Sequence, residues 1–341
     1  MELGYTLSSE EHPGSRLVEL ARRAEQAGFT FASISDHYHP WIDRQGNSPF
    51  AWSVLGGVAQ ATERLELMTG VTCPTMRIHP AIVAQAAATV AEMMPGRFTL
   101  GLGTGEALNE HILGDPWPSP EVRLEMLEEA IEVIRSLWEG QVLTFHGAYY
   151  DVERARLYTL PPEPPLIVVA ASGPASATLA ASVADGILTT TPDPRLLERY
   201  RLAGGAGRIY GQLHVCWAET VAEARRTAKE WWPTAGLPGA LGTELPLPRH
   251  FEQAAQLVTE EDLARSVVCD PDPAAHLEAI GRFAGAGFER LSIHQVGPDQ
   301  EGFFRFYEAE VLPRAGSVAA SADGRARGAG RVEDPRLTGE S

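Results

Sequence analysis

A chain of 341 residues with a net charge of −17 lacks the basic surface that binding a nucleic-acid backbone requires, while 44% hydrophobic residues suffice for a large core. No apolar run reaches the roughly 18 to 20 residues of a membrane span, and Met1-Glu2-Leu3-Gly4 enters a strand without the basic and apolar regions of a signal peptide, so a soluble, cytoplasmic protein is expected. Cys73, Cys216 and Cys269 are far apart and odd in number, which argues against a disulfide framework.

In chain order, apolar runs rich in Val, Ile and Thr alternate with stretches of helical period, the pattern of repeated βα units. "ELGYTL" (2–7) leads to a helical stretch at 15–29, "TFASIS" (30–35) to one at 50–62, "LELMTGVT" (65–72) to one at 80–94, and "RFTLGLGTG" (97–105) to one at 120–140. Residues 141–160 read as a hairpin turning at His146-Gly147-Ala148. Four further strand candidates follow at 166–172, 186–191, 209–218 and 290–296, and 233–258 has the Pro and Gly content of an active-site cover. Eight strands closed into a (β/α)8 TIM barrel are the economical arrangement, since every core-facing strand is then paired on both sides. The expectation is one barrel domain over 1–315 with insertions near 141–160 and 233–258, then a disordered tail over 316–341 whose Gly, Ala, Ser and Arg bury no core.

Barrel chemistry sits at the C-terminal ends of the strands. That rule gathers "SDHYHPW" (35–41), "GVTCPTMR" (70–77), "GTGEALNEH" (103–111) and "ASGPAS" (171–176) at one mouth. Two readings compete there. His37 and His39, with His214 and His294 on later strands, are candidate ligands of a metal-dependent barrel hydrolase, although Pro40 places the first pair in a loop rather than inside a strand. Alternatively, the glycine-rich turns at 103–105 and 172–173 let backbone N–H groups approach a flat, phosphate-bearing redox cofactor beside His37 and Trp41. The dinucleotide fingerprint of a nicotinamide enzyme is absent.

The segments "SDHYHPW", "CPTMRIHPAIVAQAAAT", "GRFTLGLGTGEALNEH" and "ASGP" together resemble the coenzyme F420 (deazaflavin)-dependent glucose-6-phosphate dehydrogenase group of the luciferase-like monooxygenase family, over about residues 1 to 315. The resemblance implies that His37 is the base on the substrate hydroxyl, Glu106 the acid near the deazaflavin ring, and Trp41 the aromatic beside the reacting carbon. Glu10 matches a further active-site acid that would orient His37; a helix-entry carboxylate is the plainer reading of Glu10 and Glu11. Asp36, Cys73, Thr104, Gly105, Asn109, Ser172 and Gly173 fall on cofactor-holding positions, with Cys73 where threonine and Ser172 where glycine is usual. Gly70-Val71 matches a non-prolyl cis peptide on which the cofactor ring rests. An FMN-dependent monooxygenase is the alternative within this family.

The substrate is where the resemblance weakens. The sugar-phosphate enzymes hold phosphate with two lysines and an arginine, whereas Lys229 is the sole lysine here and Asp193 stands where one of them should be. Arg195, Arg249 and Arg265, with Thr190, are the candidate substitutes. The expected reaction is therefore hydride transfer between F420 and an alcohol, carbonyl or activated alkene, with an uncharged small molecule preferred over glucose 6-phosphate. A homodimer is the expected assembly.

Overall fold

The computed structural model describes residues 1–316, so all but the first residue of the expected tail lies outside the described residues. Eleven strands are present among them: β1 (Glu2–Leu7), β2 (Phe31–Ile34), β3 (Glu66–Thr69), β4 (Phe98–Leu102), β5 (Leu143–His146), β6 (Asp151–Ala155), β7 (Leu166–Ala170), β8 (Gly186–Thr189), β9 (Arg208–Val215), β10 (Val267–Val268) and β11 (Arg290–Gln295). β1, β2, β3, β4, β7, β8, β9 and β11 pair in parallel in that order, and β11 returns to β1, which closes an eight-stranded barrel. The eight apolar runs of the sequence are those eight strands.

The helices wrap this barrel because their apolar residues recur on one face. Helix Gly14–Ala27 buries Leu17, Leu20, Ala21 and Ala24, at spacings of three and four, and keeps its charged residues exposed or half-buried between them. It ends at Gly28, whose φ of 100° is open to glycine and strained for other residues. Phe31, Met68, Val168, Leu188 and Tyr210 fill the barrel interior as a separate cluster. At the N-terminal end, Arg290 pairs with Glu2 and Glu66. These interior side chains and ion pairs plug the bottom, leaving the top for chemistry.

Three local details differ from the sequence reading. His146 is the last residue of β5, its Nδ1 2.8 Å from Asp151 Oδ1 across the hairpin, and the turn comes one residue later, closed by Gly147 N–H donating to Tyr150 O at 3.0 Å. The Pro- and Gly-rich stretch 233–258 contains short helical pieces, Pro233–Gly236, Leu241–Glu244 and Pro248–Ala255, because proline is tolerated in a helix's first turn. The two-residue strand β10 pairs with the end of β9.

Candidate active site

The loop after β2 is fixed from below. Asp36 is buried, with Oδ2 accepting from Thr72 Oγ1 at 2.7 Å and Oδ1 paired with Arg77 at 3.0 Å. Arg77 also donates its backbone N–H to Glu110 Oε2 at 2.8 Å, so one arginine joins the loop after β3 to the loops after β2 and β4. Asn109 Oδ1 accepts the backbone N–H groups of Tyr38 and His39 at 2.9 and 3.1 Å, and its amide reaches Glu106 Oε2 at 3.4 Å. His37 and His39 diverge as a result. His37 faces the cavity, while His39 Nδ1 is bound to Leu108 O at 2.9 Å, and no group of three candidate metal ligands exists among the described residues.

Behind His37 stands Glu10, 2% exposed, with Oε1 3.1 Å from His37 Nδ1. The two atoms are in contact without forming a hydrogen bond in this arrangement. Glu10 Oε2 accepts from Ser8 and Ser35 hydroxyls at 3.0 and 2.7 Å, which leaves Oε1 for the histidine. This places Glu10 inside the site; the neighbouring Glu11 takes part in a different contact, with His294.

On the neighbouring strand β3 the Gly70–Val71 peptide is cis, as the resemblance implies. A Cβ on Gly70 would lie 2.0 Å from Ser33 Oγ, and one on Gly103 would lie 2.6 Å from Val71 Cγ2, so these strand ends form a close-packed shelf. Gly105, at φ 84°, turns the chain into Glu106, which is half-buried at the cavity wall beside Thr104. Cys73 is buried beneath Gly105, and burial raises its thiol pKa well above the ordinary range. Burial also pushes the Glu110 carboxyl up to about 7 against the opposing pull of Arg77.

Between these walls lies a cavity of about 290 Å³. Trp41 sits with its ring centroid 5.0 Å from that of His37 and 5.2 Å from that of Phe251, edge-on to both. Phe251, Thr234, Ala235 and Gly242 come from the 233–258 stretch, which is a cover in fact. It is latched to the mouth by Glu252 Oε1 accepting from Asp43 N at 3.1 Å and by Glu244 accepting from Arg123 and Trp117 at 3.0 and 3.1 Å.

The structure brings Glu10, His37, Trp41, Gly70, Val71, Glu106 and Thr190 to the cavity wall. Asp36, Cys73 and Asn109 sit behind it as supports. At Ser172 and Gly173, outside the cavity lining, the backbone N–H groups donate to Ser176 Oγ, each at 3.2 Å. Among the described residues no lysine or arginine lines the cavity. Arg195, Arg249 and Arg265 are exposed outside it, Arg195 folded onto Asp193 and Arg265 onto Asp262. Asp193, expected inside the pocket, instead caps helix Pro194–Leu202 by accepting from Arg195 N–H at 3.0 Å, because a helix start needs an acceptor for its free amides. Composition gave no sign of Gln212, Trp232 or the functional pairing of His214 with His294. The last two are register partners on β9 and β11, a relation visible only once the strands are paired.

A closed parallel barrel with a histidine–carboxylate pair and a close-packed strand-end shelf at its C-terminal mouth is a barrel-enzyme site. Residues 1–290 match the family model described as luciferase-like monooxygenase, and the chain belongs to that family. It is 37% identical over 328 residues to an F420-dependent glucose-6-phosphate dehydrogenase of Nakamurella multipartita, covering 92% of this chain and 96% of the relative. It is 38% identical over 320 residues to an F420-dependent hydroxymycolic acid dehydrogenase of Mycobacterium tuberculosis, covering 91% and 87%. Among solved structures it is similar to an F420-dependent secondary alcohol dehydrogenase in complex with an F420-acetone adduct, with a TM-score of 0.86, 30% identity and coverage of 92% and 98%.

Proposed function

We propose that this chain is a coenzyme F420-dependent oxidoreductase that moves a hydride between the deazaflavin and an uncharged alcohol or carbonyl compound, with an activated alkene as the further substrate type the site admits. The observation that carries the reading is the cavity itself: His37 backed by Glu10, the Gly70–Val71 shelf and Glu106 follow the four consecutive strands β1 to β4 around its wall, and no lysine or arginine among the described residues lines it. The names of the relatives support F420-dependent oxidoreduction; for the substrate they give glucose 6-phosphate as well as a hydroxymycolic acid and a secondary alcohol.

The residues present fit such a group. Gly70 and Val71 offer a shelf for a flat ring at the cavity wall; Thr104, Gly105, Ser172 and Gly173, outside that lining, would meet the remainder of the cofactor, with Asp36, Cys73 and Asn109 holding these loops in place. When bound, the deazaflavin supplies the hydride acceptor or donor. Alcohol oxidation requires the hydroxyl proton to leave as the carbon gives up hydride, and His37 Nε2 takes it while Glu10 holds Nδ1. Glu106 holds or releases a proton at its carboxyl as charge on the neighbouring ring changes. Trp41, Trp232 and Phe251 exclude water from the reacting centre, and Thr190 borders the substrate space.

The same reading takes residues 1–315 as one catalytic unit. A cytoplasmic homodimer is proposed as its form: the three buried free thiols suit a reducing compartment, and exposed Phe50 and Ile82 give the face carrying helices Ala51–Ala61 and Pro80–Met93 apolar surface for self-association. Fluorescence titration with F420 and FMN tests the cofactor. Tight F420 binding with weak FMN binding is expected, and the reverse ranking contradicts the proposal.

A further inference from the structure

His214 and His294 join Glu11 in a buried chain that the chemistry above does not use. Glu11 Oε1 accepts from Gly297 N–H at 2.8 Å, and Oε2 is 2.9 Å from His294 Nε2. The other nitrogen of His294, Nδ1, is 2.8 Å from Nδ1 of His214. His294 and Glu11 are buried, and the Trp232 ring closes over the pair with its centroid 4.4 Å from that of His294.

Proton counting fixes the direction of this chain. A carboxylate only accepts, so a neutral His294 carries its proton on Nε2 and presents a lone pair at Nδ1. His214 must then donate from Nδ1, which leaves its Nε2 as a bare acceptor. Burial, reinforced by His294, pushes the His214 pKa down to about 3, so this ring stays neutral through the working pH range. His214 lines the cavity, and no partner meets its Nε2 among the described residues. Around the barrel, β9 is separated from β2 by β11 and β1, so this acceptor stands on a different wall from His37.

We propose that the Glu11–His294–His214 chain forms a second polar subsite, in which His214 Nε2 accepts a hydrogen bond from a hydroxyl of the substrate other than the one His37 deprotonates. The substrate class is thereby narrowed to uncharged molecules carrying a second hydrogen-bond donor, such as diols and hydroxyketones. Glu11 and His294 are positioning residues that fix the His214 tautomer. This inference rests on the proposed F420-dependent reaction.

The test compares kcat/KM for F420 reduction by a secondary alcohol and by diols of the same chain with the second hydroxyl at successive carbons. Matched ketones and hydroxyketones are run against reduced F420 in the other direction. At one spacing the diol should exceed the mono-alcohol by about tenfold or more, the order set by leaving a buried polar group unpaired. That preference should fall to about one in His214→Leu and return in part in His214→Gln, which keeps a donor for His294 and an acceptor for substrate. Glu11→Gln, which keeps an acceptor for His294 Nε2–H, should retain the preference and Glu11→Leu should lose it, a contrast that carries the test if His214→Leu does not fold. A merely structural chain would lower both substrates alike. Absence of any preferred spacing, or survival of the preference in folded His214→Leu and Glu11→Leu, overturns the inference while the F420 titration stands. Failure of the wild-type chain to bind F420 overturns the proposed function, and the inference with it.

Discussion

His37 combines an open side toward the cavity with a buried carboxylate behind it, the arrangement a base needs if it is to accept a proton without turning away. Replacing it by alanine should lower turnover by about 10²- to 10⁴-fold, the usual share of acid–base catalysis, while F420 affinity is retained. Stopped-flow reduction together with fluorescence titration checks this; equal loss of both would make His37 a cofactor-holding group. Glu110 is a different case. Its folded-state pKa of about 7 lies above the ordinary 4.5, so between these values the native chain holds a proton that the unfolded chain has released. The native state therefore binds more protons, and the contribution of this group falls as pH rises through that window, by an amount on the order of a few kcal/mol. Glu110→Gln should flatten the decline in stability from about pH 5 to pH 7, measured by urea unfolding at each pH. An unchanged slope would show that Arg77 keeps the carboxylate ionised throughout.

At the scale of elements, the shelf depends on strand ends that approach too closely for side chains. A Cβ at Gly101 would lie 1.9 Å from the backbone oxygen of Thr69, where no flexible side chain yields, so Gly101→Ala should destabilise by roughly 1–3 kcal/mol in denaturant titration. Gly173 is the useful contrast. Its φ of −152° is open to any residue and its Cβ would meet nothing within 4 Å, so Gly173→Ala should leave stability unchanged. If the cofactor packs against this turn, the same variant should weaken F420 binding, and unchanged affinity would remove Gly173 from the cofactor-holding set. The barrel strands and helix Gly14–Ala27 were legible because apolar periodicity is a local property of the chain. His37, Glu106 and the Gly70–Val71 peptide were legible through motif resemblance. Asp193 and Arg195 were misplaced because a short loop after β8 gives no sign of whether a side chain turns inward or caps the next helix. The contact of Glu11 with His294 joins residues 283 positions apart, and no single-chain periodicity reports it.

For the whole molecule, the net charge of −17 and a cavity that no lysine or arginine among the described residues lines act in the same direction. A dianionic sugar phosphate gains nothing from long-range steering and meets Glu10 and Glu106 without a counter-charge, whereas an uncharged alcohol meets aromatic walls and a few placed acceptors. Each 1.4 kcal/mol of such a difference is about tenfold in affinity, so one missing cation and one facing carboxylate suffice to invert substrate preference. The position of the repelling charge differs from the sequence reading, which placed it at Asp193, but its sign does not. The most direct measurement is F420 reduction followed by absorbance, with glucose 6-phosphate and a panel of uncharged secondary alcohols compared by kcat/KM. The highest value is predicted for an uncharged alcohol; a highest value for glucose 6-phosphate would contradict the account and require a phosphate-binding cation to enter the cavity on closure.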